Sequence, residues 1–184
     1  AGGYGAAIRF EQLFLLPVLG LNASTLALVG QNFGAMNFVR IHETYTRSIF
    51  YGTLFMGICG LFVFFSSDYI MYFFSDNDEI IFYGSTYLKI AAFAGPCYPI
   101  FFISSALLQG LKKPNYQMVI NLMRMVILPV CGLSVAVLYL QVNFTTMFLV
   151  VLTINYVFAA AVYKFSVYQI DLMQKNYKPN LDAV

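Results

Sequence analysis

The sequence predicts an all-α, polytopic membrane helix bundle of five transmembrane helices, and three observations carry that prediction. Of its 184 residues, 60% are hydrophobic and 10% charged, against roughly 45–50% apolar and about 25% charged in an ordinary soluble domain. Mean hydropathy is +0.75. The apolar residues also gather into runs long enough to cross a hydrocarbon core of about 30 Å, which takes about 20 helical residues. The same composition excludes other classes. A formal net charge of +2 is too small to meet a polyphosphate backbone, so no nucleic-acid partner is expected. His42 is the lone histidine, and Cys59, Cys97 and Cys131 lie scattered in apolar runs without a CxxC pair. That leaves no metal motif and no expected cofactor, and the cysteines read as small apolar packing residues.

Residues 1–168 read as one transmembrane bundle, with spans at about 6–35, 47–74, 80–111, 115–140 and 144–168, followed by a polar tail over 169–184. The first span is preceded by Ala1-Gly2-Gly3-Tyr4-Gly5, which has neither an initiator Met nor the design of a signal peptide, so a longer polypeptide is expected. Pro17 should interrupt this span, because proline removes a backbone donor. Near its end, Gly30 and Gly34 form a GxxxG spacing that would allow close helix approach. A connection over Asn37–Glu43 leads to the second span, and an acidic connection with Asp76, Asp78 and Glu79 leads to the third.

The third span carries Gly95-Pro96-Cys97-Tyr98-Pro99 near its middle. Two prolines and a glycine so close together resemble the broken helices of membrane transporters, so Gly95, Pro96 and Pro99 are assigned as a hinge. Lys112-Lys113-Pro114 turns into the fourth span, which Pro129 should kink, and Gln141–Asn143 turns into the fifth. Asn143-Phe144-Thr145 matches a glycosylation sequon but abuts the membrane and reads as coincidence. Basic residues fall on one set of connections: Arg40, Arg47, Lys112, Lys113, then Lys164, Lys175 and Lys178 after the last span. By the positive-inside rule the tail is cytoplasmic.

Ionisable groups inside a bilayer cost about 2.5–3.5 kcal/mol on insertion scales and need a partner, water or a function. Arg9 and Glu11 in the first span, Lys89 in the third and Arg124 in the fourth are such groups. An ion pair of Glu11 with Arg9 or Lys89 is the structural expectation. At 100° per residue, Glu11, Asn22 and Thr25 share an arc of the first span, with Asn32 at its edge. Tyr98, Ser105 and Gln109 share a face of the third span, and Gln117, Asn121 and Arg124 a face of the fourth. These seams serve either as interhelical hydrogen-bond glue or as the lining of a polar cavity. For the second role the candidate pathway residues are Glu11, Asn22, Tyr98, Ser105, Asn121 and Arg124.

Arg9-Phe10-Glu11-Gln12, Leu16-Pro17, Gly20-Leu21 and Val29-Gly30-Gln31-Asn32-Phe33-Gly34-Ala35, in that order, resemble the second-lobe signature of the multidrug and toxic compound extrusion (MATE) family. Phe74–Glu79, Tyr87-Leu88-Lys89-Ile90 and Leu108–Pro114 resemble that family's acidic outer loop, tenth-helix opening and cytoplasmic turn. The resemblance implies that the five spans are helices eight to twelve, part of one lobe of a two-lobe transporter. The amino-terminal lobe would then be a missing partner. It further implies a proton- or sodium-coupled antiporter exporting organic, often cationic, drugs and toxins, not an enzyme, in a membrane, expected to be the bacterial inner membrane. Its other partners would be the lipid bilayer and small organic substrates. One branch of the family has a coupling carboxylate in the tenth helix at a place that aligns with Tyr98, where this sequence departs; Glu11 is the remaining candidate carboxylate. A lipid-linked-sugar flippase of related fold and a non-transporting membrane scaffold are the competing readings.

Overall fold

The computed structural model describes the backbone of residues 2–74, 76–127, 129–130, 134 and 144–177, and the side chains of 12–74, 76–127, 129–130, 134, 146 and 149–177. It is an all-α membrane bundle. Helix α1 spans Gly2–Gly34, α2 Phe38–Phe74, α3 Asp78–Ala94, α4 Cys97–Gly110 and α5 Pro114–Leu122, which widens into a π-helical turn over Met123–Ile127. Helix α6 spans Phe144–Tyr177. Among the described residues three helices are long and apolar enough to cross a membrane, and α3 and α4, bent by 48° at their break, are so only when taken together. Most of the fourth expected span after the π turn lies outside the described residues.

Local chemistry accounts for the helix ends. Asn77 caps α3, its side-chain oxygen accepting the backbone N–H groups of Glu79 (3.0 Å) and Ile80 (3.3 Å). Asp78 and Glu79 then sit in the first turn, where the helix dipole favours negative charge, so the acidic connection has a structural role. The turns after α1 and α4 are built alike. Met36 (φ 56°) and Lys112 (φ 59°) adopt the left-handed conformation. The next N–H reaches back five residues in each, Asn37 to the Asn32 carbonyl (2.9 Å) and Lys113 to the Leu108 carbonyl (2.8 Å). This is the Schellman arrangement, here without the usual glycine.

Helix α4 is the central element, with ten of its fourteen residues buried. Ile103, Leu107 and Leu111 pack with Val29 of α1, Ile41 and Tyr45 of α2 and Ile170 of α6. Phe101 and Leu108 pack with Ile120 of α5 and with Ala159 and Val162 of α6. Outward, α2 exposes Phe50, Tyr51, Leu54, Ile58, Phe62 and Phe65, a surface suited to lipid rather than water.

Several boundaries and contacts differ from the sequence expectation. Helix α2 begins at Phe38, so most of the expected connection to Glu43 is helical and only 35–37 turn. Helix α6 continues to Tyr177, so the polar tail from Gln169 is helical for its first nine residues; Gln169 and Ile170 are buried, and Gln169 accepts a 2.6 Å hydrogen bond from Lys113 Nζ. Pro17 lies inside a continuous α1. A Cβ on Gly30 or Gly34 would meet nothing within 4 Å, although the Gly30 backbone nitrogen lies 3.3 Å from where a Cβ on Gly110 would stand. The close approach falls on Gly110, where a Cβ would come 2.6 Å from Val29 Cγ1.

Candidate functional site

The expected hinge is where the third span breaks. Pro96 has no N–H, so the Ala92 carbonyl loses its helical donor. That oxygen lies against α2 at Gly60, where a Cβ would stand 2.5 Å from it. In an unbroken helix the Phe93 carbonyl would take the N–H of Cys97; here it accepts a 2.7 Å hydrogen bond from the Tyr156 hydroxyl of α6. Gly95 and Pro96 form the break itself, whereas Pro99 sits in the first turn of α4, where no helical donor is needed. Pro99 instead packs closely on Gly52, where a Cβ would lie 2.9 Å from the proline Cβ.

The two sides of the broken helix differ. Toward α1 and α5 it meets polar groups. Asn22 Nδ2 of α1 donates to the Phe102 carbonyl (3.0 Å), and Ser105 Oγ donates to Asn121 Oδ1 of α5 (3.3 Å). Arg124, on the π turn, places its guanidinium 5.0 Å from the Tyr98 ring centre, 4.6 Å from Phe101 and 5.3 Å from Phe102. Pro129 follows Arg124 and Met125 by five and four residues and cannot donate to either carbonyl, which favours a widened turn at this place. Toward α2 and α6 the broken helix instead borders an apolar groove of about 850 Å³, bounded by Thr53, Phe50 and Phe64 of α2, Pro96, Ile100 and Tyr163.

Of the expected pathway residues, Asn22, Ser105 with Asn121, and Tyr98 with Arg124 thus make three separate contacts along the second half of the broken helix. Within the seams, Thr25 bonds Ser48 of α2 (2.9 Å), Asn32 bonds its own helix at the Leu28 carbonyl (2.8 Å), and Gln109 is exposed. The side chains of Arg9 and Glu11 lie outside the described residues. The ammonium of Lys89 pairs with Asp68 of α2 at 2.9 Å, and the expected pairing with Glu11 falls outside the described side chains. Asp68 is the one acid in the apolar body of α2, on the helix that turns directly into α3, and that signal could have found it. Two further contacts escaped the sequence reading, the Tyr45 hydroxyl with Ser104 (2.9 Å) and Tyr156 at the break. Among the described residues no three His, Cys, Asp or Glu side chains gather as a metal site requires.

Comparison with known proteins agrees with this fold. The chain is similar in fold to an outward-facing MATE family multidrug resistance transporter of the MOP superfamily, with a TM-score of 0.87 and 18% identity over 95% of this chain and 39% of the other. An inward-facing one matches with a TM-score of 0.86 and 18% identity over 93% and 40%. A MOP superfamily transporter from Pyrococcus furiosus, described as having a binding pocket of reverse polarity that suggests a different function, matches with a TM-score of 0.85 and 17% identity over 92% and 38%. The chain thus spans about two-fifths of the length of these structures. No curated protein matches it. The MatE family model matches residues 2–133, well over half of the sequence, and the chain belongs to that family.

Proposed function

We propose that this chain is the carboxyl-terminal lobe segment of a cation-coupled antiporter that exports organic, often cationic, compounds, with an amino-terminal lobe completing the cavity. The observation that carries the reading is the polar side of α3 and α4. A helix broken at mid-span by Gly95 and Pro96 stands beside Asn22, Ser105, Asn121 and an arginine held on aromatic rings. Broken helices at substrate sites are how transporters combine binding with alternation. The near-equal likeness to an outward-facing and an inward-facing relative supports a lobe that keeps its fold while the two lobes rock. The coupling ion, proton or sodium, is part of this proposal and would be held by groups that include Glu11 or residues of the other lobe.

A second reading, a lipid-linked-sugar flippase of related fold, draws on Arg124, a cation on the polar side that could meet a pyrophosphate. The test uses the product of the complete reading frame, expressed in cells lacking their own efflux pumps. Ethidium should leave energised cells faster than from cells with the empty vector. Collapse of either the proton or the sodium gradient should stop it. No efflux of any of several cationic dyes, at normal protein level, would overturn the export reading, and accumulation of a lipid-linked oligosaccharide in cells carrying an inactive variant would favour the second.

A further inference from the structure

We propose that the groove between α2 and α6 seats an anionic phospholipid, its phosphate between Arg47 and Lys164 and one acyl chain running along the groove to the break in the third span. The inference stands apart from the export reading, which uses the other side of that span. Two charges mark where the groove meets the edge of the membrane. Arg47 is followed by uncharged residues from 48 to 67, and Lys164 is preceded by uncharged residues from 144 to 163. Each therefore stands at a boundary of the hydrocarbon core. They directly follow Thr46 and Tyr163, which line the same end of the groove, and both are exposed. Their levels match as well, since the Tyr45 and Tyr163 rings stack with centres 5.8 Å apart.

From this end the groove runs as a lipid tail does. Gly57 comes ten residues after Arg47, about 15 Å along the helix, which is half of a hydrocarbon core of about 30 Å and so the reach of one leaflet. A Cβ on Gly57 would meet nothing within 4 Å, although the residue lines the groove. Beside it lie Gly60 and, from the broken helix, Ala92, Phe93 and Pro96. Phe50, Leu54, Ile58 and Leu61 on the α2 wall are exposed, so a chain can enter from the side. Charge selects the headgroup. The helical segments at the mouth, 38–47 of α2 and 164–177 of α6, carry Arg40, Arg47, Lys164 and Lys175 against Glu43 and Asp171, together with His42. Each basic residue at a membrane surface strengthens binding of an anionic lipid about fivefold. An apolar helix laid in the groove would leave Arg47 and Lys164 without a counter-charge, whereas a phosphate serves both. The seated tail is then a removable part of the packing against the break.

The test uses the product of the complete reading frame, reconstituted in phosphatidylcholine vesicles with a trace of phosphatidylglycerol that carries a photoactivatable diazirine at the end of one acyl chain. A phosphatidylcholine probe with the same chain is the control. After illumination, labelled peptides are mapped by mass spectrometry. The phosphatidylglycerol probe should label segments 53–64 and 92–100 several times more than the control does. Arg47→Gln and Lys164→Gln, at exposed positions, should each lower that labelling about fivefold. Gly57→Leu, which fills the groove, should abolish it, with the more flexible Gly57→Met in its place if the leucine variant aggregates. Absence of label from both segments of the unaltered protein would overturn the proposal, and with it would come the other occupants: a helix from the rest of the chain, or a second copy, the latter seen as cross-linked dimer. Equal labelling by the two lipids, or labelling that survives both charge substitutions, would overturn it as well, because the groove would then hold a tail without recognising the headgroup.

Discussion

The two sides of the broken helix set chemistry against volume. The hollow against α2 and α6, about 850 Å³, is almost wholly apolar. Both sides have hydrogen bonds between helices, Tyr45 with Ser104 and Tyr156 with Phe93 on the one, Asn22 with Phe102 and Ser105 with Asn121 on the other, but the side against α1 and α5 also has a guanidinium on three rings. In a water-soluble protein the largest apolar hollow would be the first place to look for a ligand. In a membrane bundle such a hollow is also what a lipid tail or a neighbouring helix fills, and polar side chains retained despite the bilayer are the better guide. On the function proposed above, substrate recognition belongs to the polar side and helix packing to the groove side.

Substitutions can break or sharpen this contrast, and the largest effect should come from packing at the break. Gly60→Ala would drive a methyl against the Ala92 carbonyl. It should cost about 2 kcal/mol of stability, measured by unfolding in mixed micelles, since overpacking typically costs about 1–3 kcal/mol. Gly30→Ala, with nothing within 4 Å of the new Cβ, should cost nothing, and equal losses would remove the packing role given to the groove side. Tyr156→Phe comes next. Removing the hydroxyl from the Phe93 carbonyl should cost about 1 kcal/mol, with hydrogen exchange at Gly95 and Cys97 rising; an unchanged exchange pattern would mean that the break does not depend on α6.

On the polar side, Ser105→Ala should cost only about 0.6 kcal/mol, as interhelical hydrogen bonds in membranes typically do, yet change the ranking of exported compounds. A stability loss above about 2 kcal/mol with an unchanged ranking would show that the seam is glue. The smallest effect is expected at the periphery. The Lys89–Asp68 pair is exposed, with side-chain accessibilities of 38% and 52%, and Lys89→Met should change stability by less than about 1 kcal/mol and leave export alone.

The legibility of the fold and of the site followed the range of the interactions. Gly95 and Pro96 act on their own backbone, so the break could be read locally. Pro99 could not be separated from them until the start of α4 was known, because a first-turn proline disturbs nothing. The seams could be read by helical phase, and Asn22, Ser105, Asn121 and Arg124 all turn toward α4 or lie on it. Their partners could not. Asn22 meets a main-chain carbonyl, which every residue offers, and Arg124 meets two of 19 phenylalanines and one of 14 tyrosines, too common for any to stand out. Asp68 was not picked out for Lys89 because depth along a helix says nothing about which neighbour it packs against. Helix α6 was ended early because polarity marks where a helix leaves the lipid, not where it stops. Gln169 and Ile170 continue it against the turn held by Lys113.

The most direct measurement compares the two sides in one assay. In the full-length protein, Tyr98→Ala and Asn121→Leu represent the polar side, and Ile100→Ala and Phe64→Leu the groove. Export of several cationic and neutral compounds is measured and normalised to membrane protein amount. The polar-side variants should reorder the compounds, cations most of all, and the groove variants should scale all of them together with protein level. Reordering by the groove variants, with the polar-side variants merely tracking protein level, would contradict the assignment of recognition to the α1 and α5 side of the broken helix.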